Sequence, residues 1–357
     1  MSLRQFKNHR QADFDFCPEF NCFYGENGVG KTNVLDALHF ISNGRSYFSR
    51  TDVNSIQFEE DFALIEAVVA NNDERVNLRV GLQRNGKKGI HKNGVMVKRL
   101  ADFVGHLPGV MITPGDITML TGTSDERRRF VDKTIGFSDP EYLRILIRHN
   151  KLLESRNELL KQFYLNRYTD LLALEAIDHQ LAPAMDYIKQ RRTSFLTEIK
   201  PHLVHVYEHM VEANESLSIS LTSHLEEKTG FEVLQEAQKQ DLYAQRTTSG
   251  CHKDDLDVLI DDVSVRKFGS QGQIKSATIA LNLAAYLYLS EKLGRKPLLL
   301  LDDIFEKIDE HRARRLLGLI SSQDFGQIFI TDTSEERLKS KLQSLSSEKK
   351  FFNIERP

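Results

Sequence analysis

The chain has 357 residues, of which 40% are hydrophobic and 28% charged, and a formal net charge of −3. That length suits one large domain with an insertion, or two to three modules, and the charge means that any nucleic acid must meet a local basic surface. No apolar run approaches the ~20 residues that a bilayer span needs. Met1–Lys7 has no signal-peptide core, and Cys17, Cys22 and Cys251 show neither a disulfide framework nor metal-ligand spacing, so a cytoplasmic protein is expected.

Phe14 to Tyr24 reads as a strand broken at Pro18, with Phe14, Phe16, Phe20, Cys22 and Tyr24 apolar. A glycine loop follows, and then a helix from Lys31 with Val34, Leu35, Leu38 and Ile41 at helical spacing and Gly44 as C-cap. From residue 62 to 100 the period changes to alternation, and Asn85-Gly86 and Asn93-Gly94 are hairpin turns, so an antiparallel β lobe is expected. It carries Arg84, Lys87, Lys88, Lys92, Lys98 and Arg99. Val110 to Thr113 is a short strand, and Ser124 to Glu212 is almost wholly helical. Two helices of ~20–30 residues there would make an arm of roughly 30–45 Å. Leu217–Leu221 alternates as a strand, and Leu256–Ile260 and Val263–Phe268 flank an Asp261-Asp262 turn. A helix from about Gln273 to Leu293 precedes the apolar run Pro297–Leu301, which reads as a buried parallel strand. Helix 310–321, strand Ile328–Thr331 and helix 334–344 complete a βαβα series. The fold class is α/β: a core in two parts, 1–122 with the β lobe and 216–357, around a helical insertion at 123–215.

Three motifs carry chemistry. The first is Gly25-Glu26-Asn27-Gly28-Val29-Gly30-Lys31-Thr32, a strand–loop–helix phosphate loop. Its backbone N–H groups can wrap a β-phosphate, Lys31 can reach the β/γ-phosphates, and Thr32 can offer a hydroxyl to Mg²⁺. The second is Asp302-Asp303 at the end of the apolar strand. A carboxylate there can hold Mg²⁺ through water, and its neighbour can orient or deprotonate an attacking water. The third is Gly269-Ser270-Gln271-Gly272-Gln273, opening a helix. It reads either as an ordinary Ser270 N-cap or as a second anion site. A chain with one phosphate loop and a second phosphate-facing element suggests two copies sharing nucleotides.

In this order, the motifs resemble those of the RecF family of ABC/SMC-type ATPases, and the likeness covers essentially the whole chain. It rests on Gln5-Phe6-Lys7-Asn8, the loop from Gly25 through Asn33, Gly44-Arg45-Ser46, and Gly122 through Asp132 with its Arg127-Arg128-Arg129-Phe130 run. It continues through Arg156-Asn157, Gly250-Cys251-His252-Lys253-Asp254-Asp255, Ser270-Gln271-Gly272-Gln273 and Leu301-Asp302-Asp303.

The resemblance implies ATP and Mg²⁺ as cofactors. Residues Gly25 to Asn33 would bind nucleotide, Thr32 and Asp302 would hold Mg²⁺, and Lys31 and Asp303 would serve catalysis. Asp303 stands where most ABC ATPases place Glu, one methylene longer, so slow hydrolysis is implied. Ser270 and Gly272 would touch the γ-phosphate held by a second copy, and Asp309 matches the loop that lines the dimer seam. The family works in DNA repair, recombination, replication and the SOS response. It binds DNA at single-strand/double-strand junctions as an ATP-dependent homodimer and acts with RecO and RecR to load recombinase. Arg127, Arg128, Arg129, Lys87 and Lys88 are the DNA-contact candidates, against a plain reading as a solvated helix start and a polar turn.

The chain departs from the family in places. It begins about five residues later than is typical, which suggests a clipped first strand or a misassigned start. Cys251 replaces a usual Pro. Phe329–Ser334 has no histidine where transporter ATPases carry a γ-phosphate sensor. Two other classes stay open: a phosphotransferase that happens to carry a phosphate loop, and an ATP-bound scaffold without a DNA role.

Overall fold

The computed structural model describes residues 1–49, 51–71, 74–103, 106–211, 215–306, 308–321 and 324–356. The chain divides into two compact units. The first comprises Met1–Asp116, His205–Asn214 and Lys275–Pro357, and the second Ile117–Val204 and Glu215–Ile274.

The first unit holds two sheets. One is five-stranded and wholly parallel, in the order Lys349–Asn353, Phe20–Tyr24, Ile328–Asp332, Leu298–Leu301 and Gly109–Ile112. The tetraleucine strand is buried along its length, as a strand covered on both faces must be. Its register sets Leu301 beside Ile330 and Ile112. The second sheet is six-stranded and antiparallel, in the order His9–Asp13, Ser2–Phe6, Phe62–Asn71, Glu74–Gln83, Gly89–Lys92 and Val95–Met96. Strand Ser2–Phe6 is formed and pairs on both sides.

Helix Lys31–Asn43 belongs to both cores. Val34, Leu35 and Leu38 pack with Phe23, Met111, Leu300 and Phe329 of the parallel sheet. Ala37, Phe40 and Ile41 pack with Leu3, Phe6, Ile65 and Val80 of the antiparallel one. The helix ends where Gly44, at φ 69°, donates its N–H to Phe40 O.

The expected strand from Phe14 is shorter in the structure: only Phe20–Tyr24 pairs. The apolar spacing upstream has another cause. Phe14 and Phe16 stack at 5.7 Å and meet Phe23 and Phe352 edge-on. Strand Lys349–Asn353 went unread because an edge strand opening on two lysines carries a weak apolar signal.

The second unit is helical around a small antiparallel sheet of Val263–Ser264, Asp255–Ile260 and Leu217–Thr222. Residues Val265–Phe268 form a helical turn, not a continued strand, because Gly269 N–H returns to Val265 O. Three long helices run Ser124–Ser138, Pro140–Asn166 and Leu171–Met210, the last belonging to this unit as far as Val204. The last has 40 residues, roughly 60 Å of helix, beyond the length read from sequence. A further helix, Gly230–Ala244, starts from a capping box between Thr229 and Glu232. Gly230 lets it approach the long helix: a Cβ there would lie 2.7 Å from Ala182 O.

Buried ions brace this unit. Arg156 donates to Asp178 at 2.6 Å, Asp241 at 2.6 Å and the Thr247 hydroxyl at 2.9 Å. All three charged side chains of that cluster have 0% exposure. Arg192 similarly joins Asp132, Asp254 and the carbonyl of Cys251. Removing one partner of such a set strands the others without water. Arg156→Ala is therefore expected to destabilise the second unit by about 3–5 kcal/mol. Half-exposed Arg129→Ala should stay within about 0.5 kcal/mol. Urea unfolding of the variants against the parent chain measures both.

Candidate active site

The site assembles at the end of the parallel strands in the first unit. The loop from Gly25 to Gly30 joins strand Phe20–Tyr24 to helix Lys31–Asn43. Two of its glycines are required by space. Gly25 has φ 147° and a Cβ there would lie 2.3 Å from Ile354 O; Gly30 has φ 112° and a Cβ would lie 2.4 Å from the Asn8 amide. Asn8 grips the loop by donating to Val29 O at 2.6 Å and accepting from the Asn33 amide at 2.7 Å. His9 Nε2 lies 3.0 Å from Gly30 O. Burial pushes the His9 imidazole below its ordinary pKa despite that carbonyl, which can only accept a hydrogen bond from Nε2. Asn33, expected to bind nucleotide, is here tied to Asn8, and neither Asn8 nor His9 has a role that the sequence alone reveals. Nothing in their spacing says that a hairpin 21 residues away holds the loop.

Lys31 is buried, and its ammonium donates to the carbonyls of Gly25 and Glu26, each at 2.9 Å. The first helical turn contains no acid, so the positive end of the helix faces the loop uncompensated. Thr32 Oγ1 donates to Asp302, 2.9 and 3.1 Å from the two carboxylate oxygens. Thr331 Oγ1 reaches Asp302 Oδ1 at 2.8 Å. Loop, helix and acidic strand end are thus one hydrogen-bonded unit.

Burial drives Asp302 up to about 6, against the Thr331 and Thr32 hydroxyls that favour the carboxylate; neighbouring Asp303 adds to the push. Asp303 sits at φ 45°, a left-handed conformation that costs a non-glycine residue about 1 kcal/mol. One threonine hydroxyl and one carboxylate form a small, all-oxygen donor set. That fits Mg²⁺, which keeps most of its waters and takes phosphate oxygens, better than a protein-caged metal. Among the described residues no group of three or more His, Cys, Asp or Glu is placed to hold a metal.

Ser270 and Gly272 lie in the second unit, at the start of helix Gln271–Leu293. Ser270 Oγ accepts from Gln273 N–H at 3.2 Å, and Ser270 N–H returns to Gln273 Oε1 at 2.9 Å. This is a capping box, and it leaves the exposed serine its hydroxyl proton to donate. Asp309 caps helix Glu310–Ile320 by accepting from Arg312 N–H.

Two of the expected DNA-contact residues are engaged within the protein. Arg127 is buried: its guanidinium holds Asp255 at 2.6 and 3.1 Å and the carbonyls of Leu120 and Gly122. Lys88 is tied inward, to Gly44 O at 2.8 Å and Asp52 at 2.9 Å. Arg127 is thus closed off from a phosphate backbone, whereas Lys88 keeps part of its side chain exposed beside Asp52. Arg128 is mostly occupied too, by Asp254 O and Asp125. Arg129 and Lys87 are exposed. The arginine run is amphipathic, and a sequence cannot say which of three adjacent guanidiniums turns inward.

The raised Asp302 pKa has a stability consequence. The native state binds this proton more tightly than the unfolded chain, so stability falls as pH rises from the ordinary ~4 through about 6 and stays reduced above it. Asp302→Asn is expected to raise unfolding free energy at pH 7.5 by roughly 1–3 kcal/mol. The gain should vanish near pH 4. Urea midpoints across pH measure it, and a pH-independent difference would refute it.

Comparison with known proteins places this geometry. Residues 1–350 match the model of the RecF/RecN/SMC N terminal domain family. The chain is 39% identical over 354 residues to the DNA replication and repair protein RecF of Flavobacterium johnsoniae, covering 99% of both chains. It is 37% identical to that of Bacteroides thetaiotaomicron, covering 99% of this chain and 96% of the other. The solved recombination mediator protein RecF-ATPrS of the RecFOR pathway superposes with a TM-score of 0.88 at 28% identity, over 99% of this chain and 95% of that one. The RecF-ATP structure gives 0.86 at 30%, over 94% and 91%. The Smc head domain of Pyrococcus furiosus, at TM-score 0.56 and 16% identity over 99% and 93%, shares the fold. An ABC/SMC-head-like α/β core with matches along nearly its whole length means that this chain belongs to the RecF family of DNA replication and repair proteins.

Proposed function

We propose that this protein is an ATP-dependent DNA-binding protein of recombinational repair and replication-gap processing, working as a homodimer that forms around ATP. The observation that carries this reading is the Thr32–Asp302 hydrogen bond, which joins the phosphate loop to the acidic strand end where a hydrolytic ATPase needs them joined. The RecF structure named with ATP supports the choice of nucleotide.

Lys31 would exchange its two loop carbonyls for the β- and γ-phosphates, with the N–H groups of residues 28–33 closing around the anion. Thr32 and Asp302 would hold Mg²⁺, which when bound neutralises charge on the phosphate oxygens. Asp303 would orient or deprotonate the attacking water; its short side chain reaches less far than Glu, in keeping with slow hydrolysis. Ser270 and the Gly272 N–H of a second copy would meet the γ-phosphate. ATP would then favour the dimer by mass action, and hydrolysis would release it. Exposed Arg129 and Lys87 remain candidates for DNA phosphate contact. Membership of a recombination-mediator family supports junction or duplex DNA as the partner, with RecO- and RecR-type proteins loading recombinase.

The oligomeric state tests this directly. With ATP and Mg²⁺ at micromolar protein, light scattering should report a dimer. Lys31→Arg should remain monomeric, Ser270→Arg should bind ATP yet stay monomeric, and Asp303→Asn should hold the dimer long after ATP addition. A wild-type chain that stays monomeric would sink the reading.

A further inference from the structure

The segment Phe329–Ser334 contains no histidine, which raises the question of what orders the two acids. Asp332 is itself buried and taken up by the guanidinium of Arg337. Thr331 is different. It sits on strand Ile328–Asp332, beside the tetraleucine strand, with 0% exposure. Its hydroxyl reaches both acids: it donates to Asp302 Oδ1 at 2.8 Å, lies 3.3 Å from Asp303 Oδ1, and accepts from Asp303 N–H at 2.9 Å.

We propose that Thr331 is a positioning residue for ATP hydrolysis, its hydroxyl fixing the Asp302 carboxylate and the backbone of Asp303 relative to each other. The inference rests on the ATPase reading above. A hydroxyl has one proton to give and two lone pairs. The amide of Asp303 takes one lone pair, so the proton goes to the nearer carboxylate, that of Asp302. Thr32 donates to the same carboxylate from the helix, so Asp302 is held from two elements at once. A β-branched side chain on a strand has few rotamers, which keeps the donor in place. The N–H bond also anchors Asp303 at its left-handed φ of 45°, where an untethered residue would relax. Valine would fill the same volume, and a fully buried hydroxyl is costly unless paired. A threonine here therefore points to its hydroxyl as the group that matters.

The test compares Thr331→Val with Thr331→Ser in the full-length chain. Valine should lower kcat for phosphate release 10- to 100-fold while leaving KM for ATP within threefold. It should also raise, at least fivefold, the Mg²⁺ concentration needed to retain a fluorescent ATP analogue. Serine should restore both to within threefold of the parent. Thr331→Ala repeats the hydroxyl deletion if the valine chain does not fold. If the hydroxyl-deleted chain matches the parent in kcat and Mg²⁺ requirement, or serine fails to rescue, the proposal is overturned. The Mg²⁺ titration reads binding without turnover, so it judges Thr331 even if the parent chain releases no phosphate. That last result would count against the ATPase reading instead.

Discussion

The carboxylate of Asp302 is buried at the end of a strand, and two threonine hydroxyls from different elements converge on it. The nucleotide half of the molecule is arranged around that contact. Thr32 brings the first turn of the phosphate-loop helix to it, and the parallel sheet brings Thr331. Desolvation makes the charged form expensive, which is why its pKa rises to about 6. Holding that charge lowers the stability of the fold at neutral pH, a cost typical of functional sites.

The contact depends in turn on a helix that cannot shift. Helix Lys31–Asn43 is buried between two sheets, with alternate sides of its surface committed to different cores. Asp36 extends the clamp, taking Lys7 at 2.7 Å, the Ser46 hydroxyl at 2.7 Å and the Tyr47 N–H at 2.6 Å. Of the residues that carry the family likeness, Lys7 and Ser46 therefore fasten the helix and Asn8, with Asn33, the loop before it. Their chemistry is positional: they satisfy buried polar groups whose exposure or loss would loosen the phosphate cradle.

The second unit spends its charges differently. Arg127, Asp132, Arg156, Asp254 and Asp255 all stand in family motifs and all end in internal ion pairs or hydrogen bonds. Arg127 and Arg266 together outweigh the burial that would raise Asp255, and hold its carboxyl below the usual range. Arg266 is four residues before Ser270, so these pairs fix the strand and turn that lead into the serine's helix. A motif rich in arginine is thus no guide by itself to a nucleic-acid surface.

Sequence alone determined the phosphate loop, the acidic strand end and the serine-led helix. Each is local: glycines at a fixed spacing before a helix, an apolar run closed by carboxylates, a capping residue at a helix start. It also determined the alternation of the β lobe and the helical arm, because periodicity survives without knowledge of contacts. Tertiary structure decided the rest. It turned Arg127 and Lys88 inward, made Phe14 and Phe16 packing residues and not strand, and recruited His9 and Asn8 to the loop. It also paired Lys349–Asn353 as an edge strand and brought Thr331 against both acids. Those outcomes depend on contacts between groups far apart in the chain, from Asn8 with Val29 to Lys349 with Phe20, and no local pattern records which of them form.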